Sequence, residues 1–171
     1  MFEELKEKII LNFVEQERWR YITDGLKITF LVTILALLIG MLIGMLVAII
    51  RTAHDQIGKE HLSGAGGFAL RALNVAARLY LTVIRGTPTL VQLLLLFFVF
   101  LVNWESKVSV AVAAFAINSG AYVAEIFRSG IMSIDKGQME AARSLGLPYW
   151  RAMQRVVMPQ AIRTMIPSII N

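Results

Sequence analysis

The sequence predicts an all-α integral membrane protein. Three observations carry this expectation. Apolar residues fill 57% of the 171 positions, and mean hydropathy is +0.64, more apolar than the usual soluble domain. Residues 28–50 hold no charged side chain over 23 positions; at about 1.5 Å per residue, that crosses a hydrocarbon core of roughly 30 Å. Two further charge-free runs, 88–102 and 108–124, are separated by the short polar turn Asn103-Trp104-Glu105-Ser106-Lys107.

Residues 1–25 mix acidic and basic side chains and contain no short apolar core before a small-residue cleavage site. They do not read as a secretory signal. The expectation is an extracytoplasmic N-terminal segment whose insertion is directed by the first span. Within that span Gly40 and Gly44 form a G-x-x-x-G pair suited to close helix packing. Glycine is common in membrane helices, so the pair by itself leaves packing open.

Residues 51–86 read as a long polar connection. Ser63-Gly64-Ala65-Gly66-Gly67 predicts a flexible hinge. After it Arg71, Arg78 and Arg85 recur every seven residues with Asn74 and Thr82 nearby, while Leu73, Ala76, Ala77, Tyr80 and Val83 lie on the other side. That spacing predicts an amphipathic helix resting at the lipid interface. His54 and His61 are isolated histidines, expected to be solvated.

Thr87 and Pro88 predict a helix start, with Thr87 as N-cap and Pro88 at the first helical position. The runs 88–102, around Gln92, and 108–124 read as two antiparallel spans, or alternatively as a re-entrant hairpin. Counting Lys and Arg gives eleven in the connections 51–86 and 125–166 against six on the other side. This favours both connections inside and the N-terminus outside. Residues 158–171 begin another apolar run, with Arg163 and two prolines, and are expected to be an incomplete fourth span.

Residues 135–159 stand out as a polar loop in an apolar chain. Asp135 with Gln138 resembles a capping box. Residues 138–145 favour helix, Gly146 suits a left-handed C-terminal cap, and Pro148 stops that helix. Pro148 can also open a second short helix, which Pro159 is expected to end. The predicted unit is helix, glycine turn, helix. On physics alone it suits docking to a protein and resting on lipid about equally.

The chemistry is bounded by absences in the sequence. There are no cysteines, hence no disulfide, thiolate nucleophile or Cys-based metal site. The run Gly64–Gly67 lacks the Gly-Lys-Ser/Thr of a phosphate-binding loop. No Ser/His/Asp, Cys/His or paired-carboxylate arrangement supports catalysis, so no catalytic residue, metal or cofactor is assigned. The net charge of +5 fits inside topology and anionic lipid, and nucleic acid is not expected. Glu125 and Arg128 can pair at i, i+3. Gln92, Asn118 and Ser119 are uncharged polar side chains within spans, candidates for a pathway or for interhelical hydrogen bonds.

Glu140-Ala141-Ala142, Gly146, and after nine residues Val156-Val157-Met158-Pro159 resemble the E-A-A…G…I-x-L-P signature of bacterial ATP-binding-cassette importer permeases. Valine and methionine stand for the usual isoleucine and leucine. Residues 85–88 (RGTP), 91–92 (VQ), 120–128 (GAYVAEIFR) and 136–140 (KGQME) look like the polar amino acid branch, the histidine/glutamine-type permeases. The resemblance covers about residues 25–171. It implies an ABC type-1 transmembrane domain over 26–171, truncated after about three complete spans, with 135–159 as its coupling loop. It also implies a separate ABC ATPase subunit, a second permease subunit (identical or related), an extracytoplasmic amino-acid-binding protein and the lipid bilayer as partners. Glu140, Ala141, Ala142, Arg143 and Gly146 would carry contact with the ATPase, and ATP hydrolysis would belong to that partner. The connection 51–86 is longer than the family's usual loop. A channel or carrier not driven by ATP, and a non-transporting permease fragment, are the alternatives.

Overall fold

A computed structural model describes residues 1–15, 17–56 and 64–170. All regular elements among them are helices. A short amphipathic helix, α1 (Phe2–Ile10), leads through a π-turn at Leu11–Glu15 to α2 (Trp19–Gln56). At 38 residues α2 is about 57 Å long. It starts ahead of the charge-free run because the pairs Glu17–Arg20 (3.0 Å) and Asp24–Lys27 (2.9 Å) support its first turns at i, i+3.

The central contact is between α2 and α5 (Lys107–Met132). A methyl placed on Gly40 would lie 3.0 Å from Ser119 Cβ and 3.2 Å from the Ala116 carbonyl oxygen. One on Gly44 would lie 2.6 Å from Val123 Cγ1 and 2.9 Å from the Ala124 nitrogen. Four residues along α2 therefore correspond to four along α5 in the same sense, so the two helices run parallel. The G-x-x-x-G pair is the seam at which their backbones meet, as small residues allow in membrane helices.

Parallel α2 and α5 require the intervening chain to cross back once. The chain between them holds α3 (Gly64–Gly86), α4 (Thr89–Leu95) and a π-turn at Leu96–Phe100, and the crossing back falls after α3: Arg85 lies 3.5 Å from Glu125 toward the far end of α5, Gln92 lies against Asn118, and the Val102 carbonyl meets Lys107 at the start of α5. Helix and turn from Thr89 to Phe100 cover 12 residues, about 18 Å, which makes this the shortest of the crossings. The three helices long and apolar enough to span are α2, α3 and α5. α3 has the length and composition of a span, yet its C-terminal part stays beside Arg51 and Glu125, so it joins the first two crossings rather than making one, packed on both α2 and α5. The Tyr80 hydroxyl donates to the Ile117 carbonyl at 2.6 Å, near the middle of α5.

Arg71, Arg78 and Arg85 of α3 are exposed, but Asn74, expected on their side, is not. Asn74 is buried together with Gly67, Ala77 and Leu81, whereas Leu73 and Val83 point outward. Lipid tails are as apolar as leucine, so large side chains gain nothing by turning inward, and small or polar ones form the contact. Residues 64–67 are the first turn of α3, not a hinge, with Gly64 at φ +82. A first turn needs no intrahelical N–H donors, so glycines are tolerated there. Ser63, Lys59 and His61 lie outside the described residues. His54, expected in solvent, is partly buried, its Nδ1 3.4 Å from Asp55 Oδ1.

Small side chains dominate the interior: Ala48, Ala116, Ala121, Ala124, Ala152 and Ala161 are all at most 1% exposed. Among the described residues, Met165 and Val110 are the largest fully buried side chains. Leucine, isoleucine and phenylalanine lie mostly outside, the inverse of a water-soluble core. The last helix, α8 (Met158–Ile170), packs on α5, with Met165 against Gly130 and Thr164 Oγ1 3.4 Å from Ser133 Oγ.

Candidate functional site

Residues 135–159 form the predicted helix–turn–helix knob. The first limb is α6 (Lys136–Ser144), whose N-cap Asp135 accepts from the Gly137 N–H at 2.7 Å. The reciprocal arm of a capping box is absent. Gln138 Oε1 instead accepts from Gln160 Nε2 at 3.3 Å, tying α6 to α8. The limb ends at Gly146, φ +85, in the left-handed region. The Leu147 N–H donates to the Ala142 carbonyl (3.2 Å) and the Gly146 N–H to that of Arg143 (2.9 Å). This double bond pattern is a Schellman cap, which satisfies the final carbonyls through a residue without Cβ strain.

Pro148 then caps α7 (Tyr149–Ala152). Pro159 does not end the second limb as expected. A π-turn at Met153–Val157 joins α7 to α8, and Pro159 sits in the first turn of α8. A proline ring inside an ordinary helix strikes the carbonyl four residues earlier. The wider π-turn just before it is a site where helices accommodate such an interruption. Gln160 Nε2 also donates to the Val156 carbonyl at 2.8 Å.

The loop residues separate by exposure. Ala142 is buried (4%), packed between the two limbs, while Glu140, Ala141, Arg143 and Gly146 are exposed. Leu145, at the apex, is 84% exposed and Trp150 is 65% exposed. No sequence signal singles out Leu145, yet its place at the C-cap before Gly146 is what projects it. A cavity of about 340 Å³ between the knob and the end of α2 is lined by Asp55, Asp135, Lys136, Glu140, Tyr149 and neighbouring apolar side chains. Partial burial raises the Tyr149 hydroxyl above its ordinary pKa.

A second polar group lies at the break in the return leg. Pro88, the N-cap of α4, has no N–H to offer the Ile84 carbonyl four residues earlier. Gln92 Nε2 takes that place at 2.7 Å, and also lies 3.0 Å from the Thr87 carbonyl and 2.7 Å from Thr87 Oγ1. Thr87 is not the expected N-cap. Its hydroxyl donates back to the Val83 carbonyl at 2.8 Å, closing the end of α3. Gln92 Oε1 accepts from Asn118 Nδ2 of α5 at 3.0 Å. Gln92 and Asn118 thus come together, while Ser119 lies against α2 at Gly40.

Glu125 and Arg128 form the expected i, i+3 pair, 2.7 Å between Oε1 and Nη2. Arg85 of α3 joins it at 3.5 Å. That third member escaped sequence reading because α3 was not placed beside α5.

Comparison with known proteins follows the same residues. The model of the family described as binding-protein-dependent transport system inner membrane component matches residues 65–171. A protein of Rickettsia prowazekii (strain Madrid E) named as the glutamine transport system permease GlnP is 44% identical over 104 residues, 59% of this chain and 48% of its own. The arginine transport system permease protein ArtQ of Bacillus subtilis (strain 168) is 44% identical over 98 residues, 56% of this chain and 45% of its own. A crystal structure of an amino acid ABC transporter with histidines superposes with a TM-score of 0.70 at 38% identity, covering 92% of this chain and 68% of that one. The chain spans about half the length of the curated relatives it matches. With three helices long and apolar enough to cross a membrane, the ordered knob and a family match over more than half its residues, the chain belongs to the inner membrane components of binding-protein-dependent transport systems, among the amino-acid ABC transporter permeases.

Proposed function

We propose that this chain acts as the permease subunit of an ATP-binding-cassette importer for polar amino acids, coupled through residues 135–159 to a separate ATPase. The observation that carries the proposal is the knob: a Schellman-capped turn that projects Leu145 into solvent and is braced from behind by buried Ala142. An element fixed at its base and apolar at its tip suits insertion into a cleft of another protein. Glu140, Ala141, Arg143 and Gly146 form the contact surface, and Ala142 holds the two limbs together. Closure of the ATPase dimer would move the knob and, through α5, the spanning helices, as rigid-body coupling.

The amino acid specificity rests on the named substrates of the relatives, glutamine and arginine. A second permease subunit and an extracytoplasmic binding protein complete the assembly. After three crossings the knob lies on the face opposite the N-terminus, so an inside knob places the N-terminus outside in the bacterial cytoplasmic membrane. Gln92 and Asn118 already use their polar atoms on one another and on the backbone, so contact with a substrate requires exchange of those bonds.

The test is Gly146→Val. No atom lies within 4 Å of a Cβ placed there, so the substitution acts through the backbone alone. A left-handed conformation costs an L-residue about 1–2 kcal/mol, and a β-branched one is a genuine outlier there. The variant should insert into membranes normally but lose co-purification with the ATPase and stimulation of ATP hydrolysis. Gly146→Asn, which tolerates this conformation, should retain both. Coupling that survives in the valine variant would sink the proposal.

A further inference from the structure

Arg51 and Glu125 are each the first charged residue after the apolar stretches of α2 and α5. Because those helices run parallel, both arrive at the same end of the bundle. There α3 adds Arg78 and Arg85, and the four side chains, with Leu81 and Thr82, line an open cavity of about 560 Å³. The charges do not balance. Among the described residues Glu125 is the one carboxylate lining the cavity, and it is already held by Arg128 at 2.7 Å and Arg85 at 3.5 Å. Arg51 Nε is buried with no hydrogen-bond partner among the described residues, an arrangement that calls for an acceptor.

We propose that this cavity binds the phosphate of an anionic phospholipid headgroup. Its depth selects that source: Arg51 follows 23 uncharged residues of α2, which places it where the hydrocarbon core gives way to headgroups. Guanidinium forks match phosphate oxygens in geometry and charge. Leu79 and Val83, exposed on α3 next to the cavity residues Arg78 and Thr82, leave acyl chains an apolar wall. Free inorganic phosphate shares the headgroup's chemistry but has no acyl chain to use that wall.

The probe is phosphatidylglycerol, with phosphatidylcholine as the neutral comparison. Binding to the full chain in detergent is read by native mass spectrometry as lipid-bound fractions along a titration. Each guanidinium near a lipid phosphate contributes roughly fivefold in affinity, so Arg51→Gln with Arg78→Gln should weaken phosphatidylglycerol binding by about thirtyfold and leave phosphatidylcholine unchanged. Arg78 is exposed, so Arg78→Gln alone keeps the fold and should give about fivefold. Equal phosphatidylglycerol binding in wild type and both variants would overturn the proposal. Displacement of the lipid by millimolar inorganic phosphate would overturn the headgroup as the source, and persistence of the lipid under those conditions supports it.

Discussion

Gly44→Ala tests whether the α2–α5 seam holds the bundle together. The added methyl would stand 2.6 and 2.7 Å from Val123 Cγ1 and Cβ, and 2.9 Å from the Ala124 backbone nitrogen. Carbon atoms at rest sit about 3.5–4.0 Å apart, so the seam must open by roughly 1 Å. A rotamer change cannot achieve this, because Val123 Cβ and the Ala124 nitrogen are fixed to the α5 backbone. Overpacking of this kind costs about 1–3 kcal/mol, against a gain of roughly 0.5–1 kcal/mol from replacing helical glycine by alanine. The expected net loss is about 1–2 kcal/mol. By soluble-protein scaling for this chain length, that is a fall in Tm of roughly 2–8 °C. Gly40→Ala, whose nearest approach is 3.0 Å, should lose less. Gly25→Ala meets nothing within 4 Å and should be neutral or slightly stabilised. The assay is thermal unfolding in one detergent, followed by helical circular dichroism. Equal melting of the Gly44 and Gly25 variants would refute a load on this seam.

Gln92→Leu removes the donor that replaces the missing proline N–H and leaves the Ile84 carbonyl without it. A destabilisation of about 1–3 kcal/mol is expected, and the double variant Pro88→Ala/Gln92→Leu should recover part of it, read by the same melts. Tyr80→Phe deletes the bond to the Ile117 carbonyl and should cost about 1 kcal/mol; hydrogen exchange at α3 should accelerate while exchange at α1 does not change.

The knob was the most legible part of the chain because its signals are local. Gly146 and Pro148 dictate backbone conformations that need no partner, so the turn follows from residue type. What proved hard to read depends on contacts between distant segments. Arg71, Arg78 and Arg85 share a seven-residue spacing that suits an interfacial helix, and nothing in that spacing reports Tyr80 reaching Ile117. In water the outward Leu73 and Val83 would be errors; in lipid they are the rule, and the residue the pattern misplaced is Asn74, which turns to the protein. Pro159 misled for a related reason. Its effect depends on the hydrogen-bond register of the preceding turn, and the π-turn that accommodates it has no sequence mark as plain as a left-handed glycine. Ala142 shows the same limit within the site, since the motif names it alongside Ala141 but only the folded limbs separate a buried alanine from an exposed one.

Interlocked glycines and parallel direction make α2 and α5 behave as one beam. A beam does not bend to absorb displacement at one end; it tilts. With α5 at 26 residues, about 39 Å long, a five-degree tilt driven from the α6 end would carry the Lys107 end about 3 Å sideways. The compliance must then sit where the helical ladder is interrupted, at Gly86–Pro88, where one glutamine side chain stands in for a backbone bond. Under the proposed coupling, the joint between α3 and α4 is where the bundle would yield to a push on the knob, and the strength of that single amide contact would set how far the push carries.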